Sequence, residues 1–97
     1  MIRQTVQTYL PGSRILLFGS RARGDQNNYS DYDLLIITSE TLSAQEKIQC
    51  STKIDHAIVK AIRIPVDILL NSQEEIEQKV KLPGHIIRSA LKEGVTL

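Results

Sequence analysis

An α/β fold, a small mixed β-sheet with helices packed against it, is what this sequence predicts, and three observations predict it. Compact apolar runs of strand length alternate with stretches of helical periodicity. Two capping boxes, Ser43-Ala44-Gln45-Glu46 and Ser72-Gln73-Glu74-Glu75, mark helix starts. The first two strands are joined by a polar loop with no helix, which favours an antiparallel pair, whereas the next connection holds a long helix.

Taken in order, Ile2, Val6 and Leu10 recur every four residues and predict a short N-terminal helix, ended by Pro11-Gly12. Arg14-Ile15-Leu16-Leu17-Phe18 is a buried strand that stops at Gly19. Residues 20–30 carry Gly, Asp, Gln and Asn and read as a loop, with Tyr29 either touching a ligand or packing the turn. Asp31-Tyr32-Asp33-Leu34-Leu35-Ile36-Ile37-Thr38 is a second strand whose apolar half faces both ways, so it lies centrally. The helix after Ser43 carries Ile48, Ile54, Ala57, Ile58, Ala61 and Ile62 and stops before Ile64-Pro65. Val66-Asp67-Ile68-Leu69-Leu70 is a third strand. A short helix with Ile76 and Val80 follows, then Pro83-Gly84. A last helix carries Ile87, Ala90 and Leu91, with Gly94 as its left-handed C-terminal residue and Val95-Thr96-Leu97 as a short edge strand.

The 97 residues suit one domain, 1–97, and the 41% apolar content is too high for a disordered chain. Aromatics make up only 4%, so the core is aliphatic. A net charge of +1 argues against a general nucleic-acid binder. One cysteine, Cys50, excludes an internal disulfide and suits a reducing compartment. No apolar run reaches membrane-span length and no signal-peptide core opens the chain, so a cytoplasmic location is expected.

Three carboxylates carry the chemical argument. Asp31 and Asp33 are two apart on a strand, so both point to one face with Tyr32 opposite. Asp67 interrupts the third apolar strand, where Asp is disfavoured. If the second and third strands are neighbours, one face carries all three. Clustered carboxylates raise one another's pKa, and a divalent cation removes the conflict. Oxygen ligands suit Mg²⁺ or Mn²⁺, and the set fits a two-metal phosphoryl or nucleotidyl transfer site. Directly after the first strand, Gly19-Ser20-Arg21-Ala22-Arg23-Gly24 offers a tight backbone turn, a hydroxyl and two guanidinium groups, all natural phosphate donors. Its spacing is neither a Walker A loop nor a dinucleotide fingerprint.

Gly19-Ser20, ten residues, then Asp31-x-Asp33, with a later strand Asp, resembles the signature of the DNA polymerase β-like nucleotidyltransferase superfamily. The Gly-Ser-x-Ala-Arg-Gly form and the small size resemble its minimal nucleotidyltransferase (MNT) branch, and the similarity spans nearly the whole chain. The resemblance implies the polymerase β-like fold and two Mg²⁺ ions with ATP as substrate. It implies Gly19 and Ser20 as triphosphate contacts, Asp31 and Asp33 as ligands of both metals, and Asp67 as a ligand of the second metal that also draws the proton from the attacking hydroxyl. Arg21 and Arg23 are further phosphate candidates. Members of the branch are commonly antitoxins of HEPN-domain ribonuclease toxins and are thought to transfer AMP to a toxin tyrosine. The resemblance therefore implies a HEPN partner, a hetero-oligomer, and no direct nucleic-acid binding. The lack of an acceptor-binding second domain in this sequence also favours a macromolecular acceptor.

Two other readings compete. In one the chain is a catalytically silent module that occludes its partner through the helices carrying Ile76–Val80 and Ile87–Leu91. In the other it nucleotidylates a small molecule, with a dimer or helper domain completing the pocket. More ordinary roles weigh against individual residues. Asp31 and Asp33 alone read as turn and strand-edge residues, Asp67 as an ion-pair partner, and Arg21 and Arg23 as solvated charges. His56 and His85 read as helix residues rather than ligands, and Cys50 as an unreactive helix residue.

Overall fold

The computed structural model describes residues 1–25 and 30–97; Tyr29 lies outside the described residues. In chain order the elements are α1 (Ile2–Tyr9), β1 (Arg14–Phe18), α2 (Ser20–Arg23), β2 (Tyr32–Thr38), α3 (Ala44–Ile62), β3 (Val66–Ser72), α4 (Gln73–Lys79), α5 (Ile86–Glu93) and β4 (Val95–Thr96). The strands form one sheet in the order β3-β2-β1-β4. β1 pairs antiparallel with β2 and with β4, and β2 pairs parallel with β3, so the sheet is mixed as expected. Two parallel neighbours need a long crossover, and α3 supplies it.

The unbroken apolar run of β2 is explained by cover on both faces. Leu34 and Ile36 join Val6 of α1 and Ile54 and Ile58 of α3 in one core. Leu35 and Ile37 join Ile76 of α4 and Ile87 and Ala90 of α5 in the other. All four strand residues are buried. Each such side chain contributes about 1.5–3 kcal/mol when removed from water.

Both capping boxes form. The Ser43 hydroxyl accepts from the Glu46 N–H and the Glu46 carboxylate accepts from the Ser43 N–H. Ser72 and Glu75 do the same for α4. α3 stops at Ile62, and Arg63 takes a left-handed conformation (φ 60°) before the Ile64-Pro65 pair. Among the described residues, no helix is long and apolar enough to cross a membrane.

Several expectations fail for identifiable reasons. Ile48 is 68% exposed rather than part of the α3 stripe. It lies six residues before Ile54, which places it roughly 120° around the helix from the buried face. Cys50, one turn before Ile54, extends the stripe instead. Within the segment read as loop, Ser20–Arg23 form a helical turn, because the Ala22 and Arg23 N–H groups both return to the Gly19 carbonyl. Gly94 is extended (φ −66°, ψ 140°) rather than left-handed and leads straight into β4. Glycine is needed there because a Cβ would strike the Ala90 carbonyl oxygen and crowd Leu16. His85 sits just before α5, where its Nδ1 accepts from the Ile87 N–H at 3.1 Å.

Candidate active site

The carboxylates gather at the end of the sheet where β1 finishes and β2 and β3 begin. The parallel register pairs Asp33 of β2 directly with Asp67 of β3. Paired residues on neighbouring strands share a face. Asp33 alternates with Leu35 and Ile37, so this is the face that α4 and α5 cover farther along. Asp31, one residue ahead of β2, continues the same alternation and is exposed. Tyr32 packs against the core of the opposite face.

The charges of this group act on one another. The Asp33 carboxyl is held above its ordinary range, first by burial and then by the negative charges of Asp67 and Asp31, with a smaller push from Glu93. Arg23 pulls it the other way. Among the described residues, no three acidic, His or Cys side chains converge closely enough to form a ready-made cation cage. Mg²⁺ does not need one, since it commonly takes one or two protein carboxylates and completes its shell with water and phosphate oxygens. The paired Asp33 and Asp67 are an oxygen donor set of that kind, and a cation between them would relieve the repulsion that raises Asp33.

Gly19 follows Phe18, which pairs with Asp33 across the β1–β2 ladder. Its backbone (φ 76°, ψ −158°) belongs to a region open essentially to glycine alone. A Cβ at this position would also overlap the Asp33 carboxylate. Two independent constraints therefore require glycine where the turn passes beneath the carboxylates. Ser20 begins α2 directly after this turn, and its carbonyl accepts from the Gly24 and Asp25 N–H groups. Gly24 (φ 83°) closes the turn.

The two arginines of this loop diverge. The Arg21 guanidinium lies 4.1 Å from the Tyr32 ring centroid, and its Nε donates to the Ser30 carbonyl at 3.0 Å. It is thus directed toward the aromatic ring that faces away from the carboxylates. Arg23 stays on the carboxylate side. Its Nε donates to Asp25 Oδ2 at 3.2 Å, and its Nη1 donates to both Glu93 oxygens at 3.1 and 3.2 Å. These bonds, that to Glu93 foremost, raise the Arg23 pKa further.

Glu93 was not anticipated from the sequence. It ends α5, and its Oε1 also accepts the Gly19 N–H at 3.0 Å. The sequence does hold a signal for it. An acidic residue in the last turn of a helix opposes the macrodipole, which favours cations there. The hollow lined by Tyr9, Leu10, Pro11, Thr38 and Glu40 lies at the opposite end of the sheet and touches none of these residues.

Comparison with known proteins agrees with this architecture. A family model described as polymerase beta, nucleotidyltransferase matches residues 1–96. No curated protein matches the chain in sequence. Among solved structures, a toxin–antitoxin with AMP-PNP superposes with a TM-score of 0.71 at 19% identity, over 98% of this chain and 68% of that one. A double Asp-to-Glu mutant of the MntA–HpeT toxin–antitoxin gives 0.68 at 16% identity, over 98% and 67%. A tri-AMPylated Shewanella oneidensis HEPN toxin in complex with an MNT antitoxin gives 0.54 at 16% identity, over 99% and 71%. At these identities the likeness is one of fold.

Proposed function

The chain belongs to the polymerase β nucleotidyltransferase family, and on that premise we propose that it is a Mg²⁺-dependent enzyme moving AMP from ATP to a hydroxyl, that of a tyrosine, on a HEPN-type partner protein. The observation that carries this reading is the pairing of Asp33 with Asp67 beside Asp31, directly above the Gly19 turn. In the transfer, the acceptor oxygen bonds to the α-phosphorus of ATP, the bond to the β-phosphate oxygen breaks, and pyrophosphate leaves. Asp31, Asp33 and Asp67 are the residues that would hold the Mg²⁺ ions. When bound, Mg²⁺ neutralises the triphosphate and favours ionisation of the attacking hydroxyl. Asp67, exposed at the start of the edge strand β3, receives the hydroxyl proton. The Gly19 turn, Ser20 and Arg23 orient the phosphates. Arg21 joins them only if it leaves Tyr32.

The choice of partner and nucleotide is supported by the similar folds, one found in a toxin–antitoxin with AMP-PNP and one beside a tri-AMPylated HEPN toxin. Occlusion through α4 and α5 would have to use only the outer faces of these helices, because their inner faces pack on the sheet. Of the residues on those two helices, Ile76 and Ile87 lie in the second core, at 3% and 1% exposure, while Leu91, at 39%, stays on the surface.

Intact-mass measurement tests the proposal. The protein is incubated with ATP, Mg²⁺ and a candidate HEPN partner. One or more AMP additions on the partner are expected, and Asp67→Asn should slow their appearance by about 10²–10⁴-fold, the usual contribution of a proton-accepting group. A stable complex that silences the partner with no mass gain would replace catalysis with occlusion.

A further inference from the structure

The Glu93 carboxylate occupies the same donors that the glycine turn offers to a phosphate. Its Oε1 takes the Gly19 N–H at 3.0 Å, and both of its oxygens take Arg23 Nη1. One carboxylate therefore fills a backbone donor and a guanidinium donor together, as a phosphate group would. Nothing in the helix itself recommends an acid at this position, since the last turn of α5 presents partial negative charge. Glu93 also adds to the charge that raises the Asp33 carboxyl. Its place is explained by the donors it meets across the fold, 74 and 70 residues away in sequence.

The pairing has an electrostatic consequence. Arg23 stands between two carboxylates, Asp25 and Glu93, so its charge is already matched. A polyphosphate approaching the turn meets Asp31, Asp33 and Asp67 with no compensating cation from Arg23 until one of its partners lets go. The Glu93 side chain is about a quarter exposed (26%) and that of Arg23 about half (48%), so solvent and solutes reach the pair.

We propose that Glu93 is an internal stand-in for phosphate: it holds the Gly19 N–H and Arg23 in place while no nucleotide is bound, and the incoming triphosphate displaces it. This rests on the nucleotidyltransferase reading above and adds a residue that sets nucleotide affinity. Displacement keeps the turn ordered in the free protein at the expense of binding strength. Removing the charge while keeping an acceptor should therefore tighten binding, which a purely structural clamp would not do.

The experiment is calorimetric titration of the full chain with inorganic tripolyphosphate and, separately, with Mg²⁺–ATP. Wild type, Glu93→Gln and Glu40→Gln are compared, the last removing an equal charge from the exposed turn after β2. Amide NMR follows the Gly19 resonance. Glu93→Gln, which retains a carbonyl oxygen for the Gly19 N–H, should bind tripolyphosphate about three- to tenfold more tightly than wild type. Glu40→Gln should not. In wild type the Gly19 resonance should move as tripolyphosphate is added. Equal or weaker binding by a folded Glu93→Gln protein, or equal tightening by Glu40→Gln, overturns the proposal even if wild type binds Mg²⁺–ATP. If neither ligand binds any of the three proteins, the nucleotidyltransferase reading falls and this inference with it.

Discussion

Where β2 ends, Thr38, Asn71 and Ser72 are buried and partnered. Thr38 donates to the Glu40 carbonyl, the Ser72 and Thr41 hydroxyls share a hydrogen bond at 2.7 Å, and Lys79 reaches Asn71 Oδ1. Lys47 pairs with Glu75, itself half-buried. Burial alone would push the Glu75 carboxyl up, but the Lys47 hydrogen bond, the Ser72 N–H and the charges of Lys47 and Lys79 outweigh it and hold the group below its ordinary range. Where β2 begins, Asp33 is pushed up by burial and by Asp67 and Asp31. One end of the same strand satisfies its own charges, and the other leaves them in conflict. The first arrangement serves folding. The second is stable only because the rest of the fold carries it, and a cation bound there would relieve the conflict.

Gly19→Ala breaks this comparison most severely, because it attacks the turn on which the charged end is built. Alanine would be held at φ 76° with its methyl against the Asp33 carboxylate. A loss of about 2–3 kcal/mol is expected from such backbone strain and overlap, lowering Tm by at least about 8 °C. Thermal unfolding followed by circular dichroism checks it. An unchanged Tm would mean that the turn relaxes freely and that Asp33 is not fixed by it.

At the other end, Ser72→Ala removes a buried hydroxyl that caps α4 and meets Thr41. The expected loss is about 1–2 kcal/mol. Transfer activity, measured below the melting transition, should be unaffected. Activity falling in step with stability would show that the two ends are coupled rather than independent. Glu75→Gln should cost less, about 0.5–1 kcal/mol at neutral pH, because its ion pair is partly solvated. The folded-state pKa of Glu75 is lowered, so its contribution is complete above the unfolded value and is lost as pH falls through the folded one. The Tm difference between Glu75→Gln and wild type should therefore shrink on acidification and be gone below both pKa values.

How far the sequence disclosed these two ends depended on how local their signals are. The capping boxes at Ser43 and Ser72 are four-residue patterns and formed as read. Asp31 and Asp33 declared a common face through strand alternation alone. The alignment of Asp67 with Asp33 needed the parallel β2–β3 register, which rests on a crossover helix and could be stated only as a condition. Glu93 was missed because its partners are brought to it by the packing of α5 on β1 and by no nearby pattern. Arg21 was read as a phosphate candidate beside Arg23, but a four-residue helix separates their directions, and Tyr32 on the far face is a good seat for a guanidinium. Ile48 and Gly94 were misread through small errors of phase and of helix ending, which apolar content alone does not correct.

The smallest effect expected is also the most specific to the charge conflict. Asp33→Asn should leave a protein slightly more stable than wild type in the absence of divalent cations, by about 0.5 kcal/mol after allowance for solvent screening, or roughly 2–4 °C in Tm. The sign follows from linkage. The folded-state pKa of Asp33 is raised, so below the unfolded value both states are protonated and no penalty exists. As pH rises through the folded value, ionisation costs the folded state stability, and the full penalty is present above it. The Asn variant is spared that cost, so its advantage should be absent in acid and complete at neutral pH, opposite in sign to Glu75→Gln over the same range. Added Mg²⁺ should then reverse the order, since a ligand bound by the folded wild type alone raises its stability by mass action. Melting curves across pH, with Mg²⁺ and with chelator, contain both tests. An advantage independent of pH would trace to packing of the amide and remove the electrostatic distinction between the two ends. An advantage that responds to pH but not to Mg²⁺ would keep the charge conflict and remove the cation as its remedy.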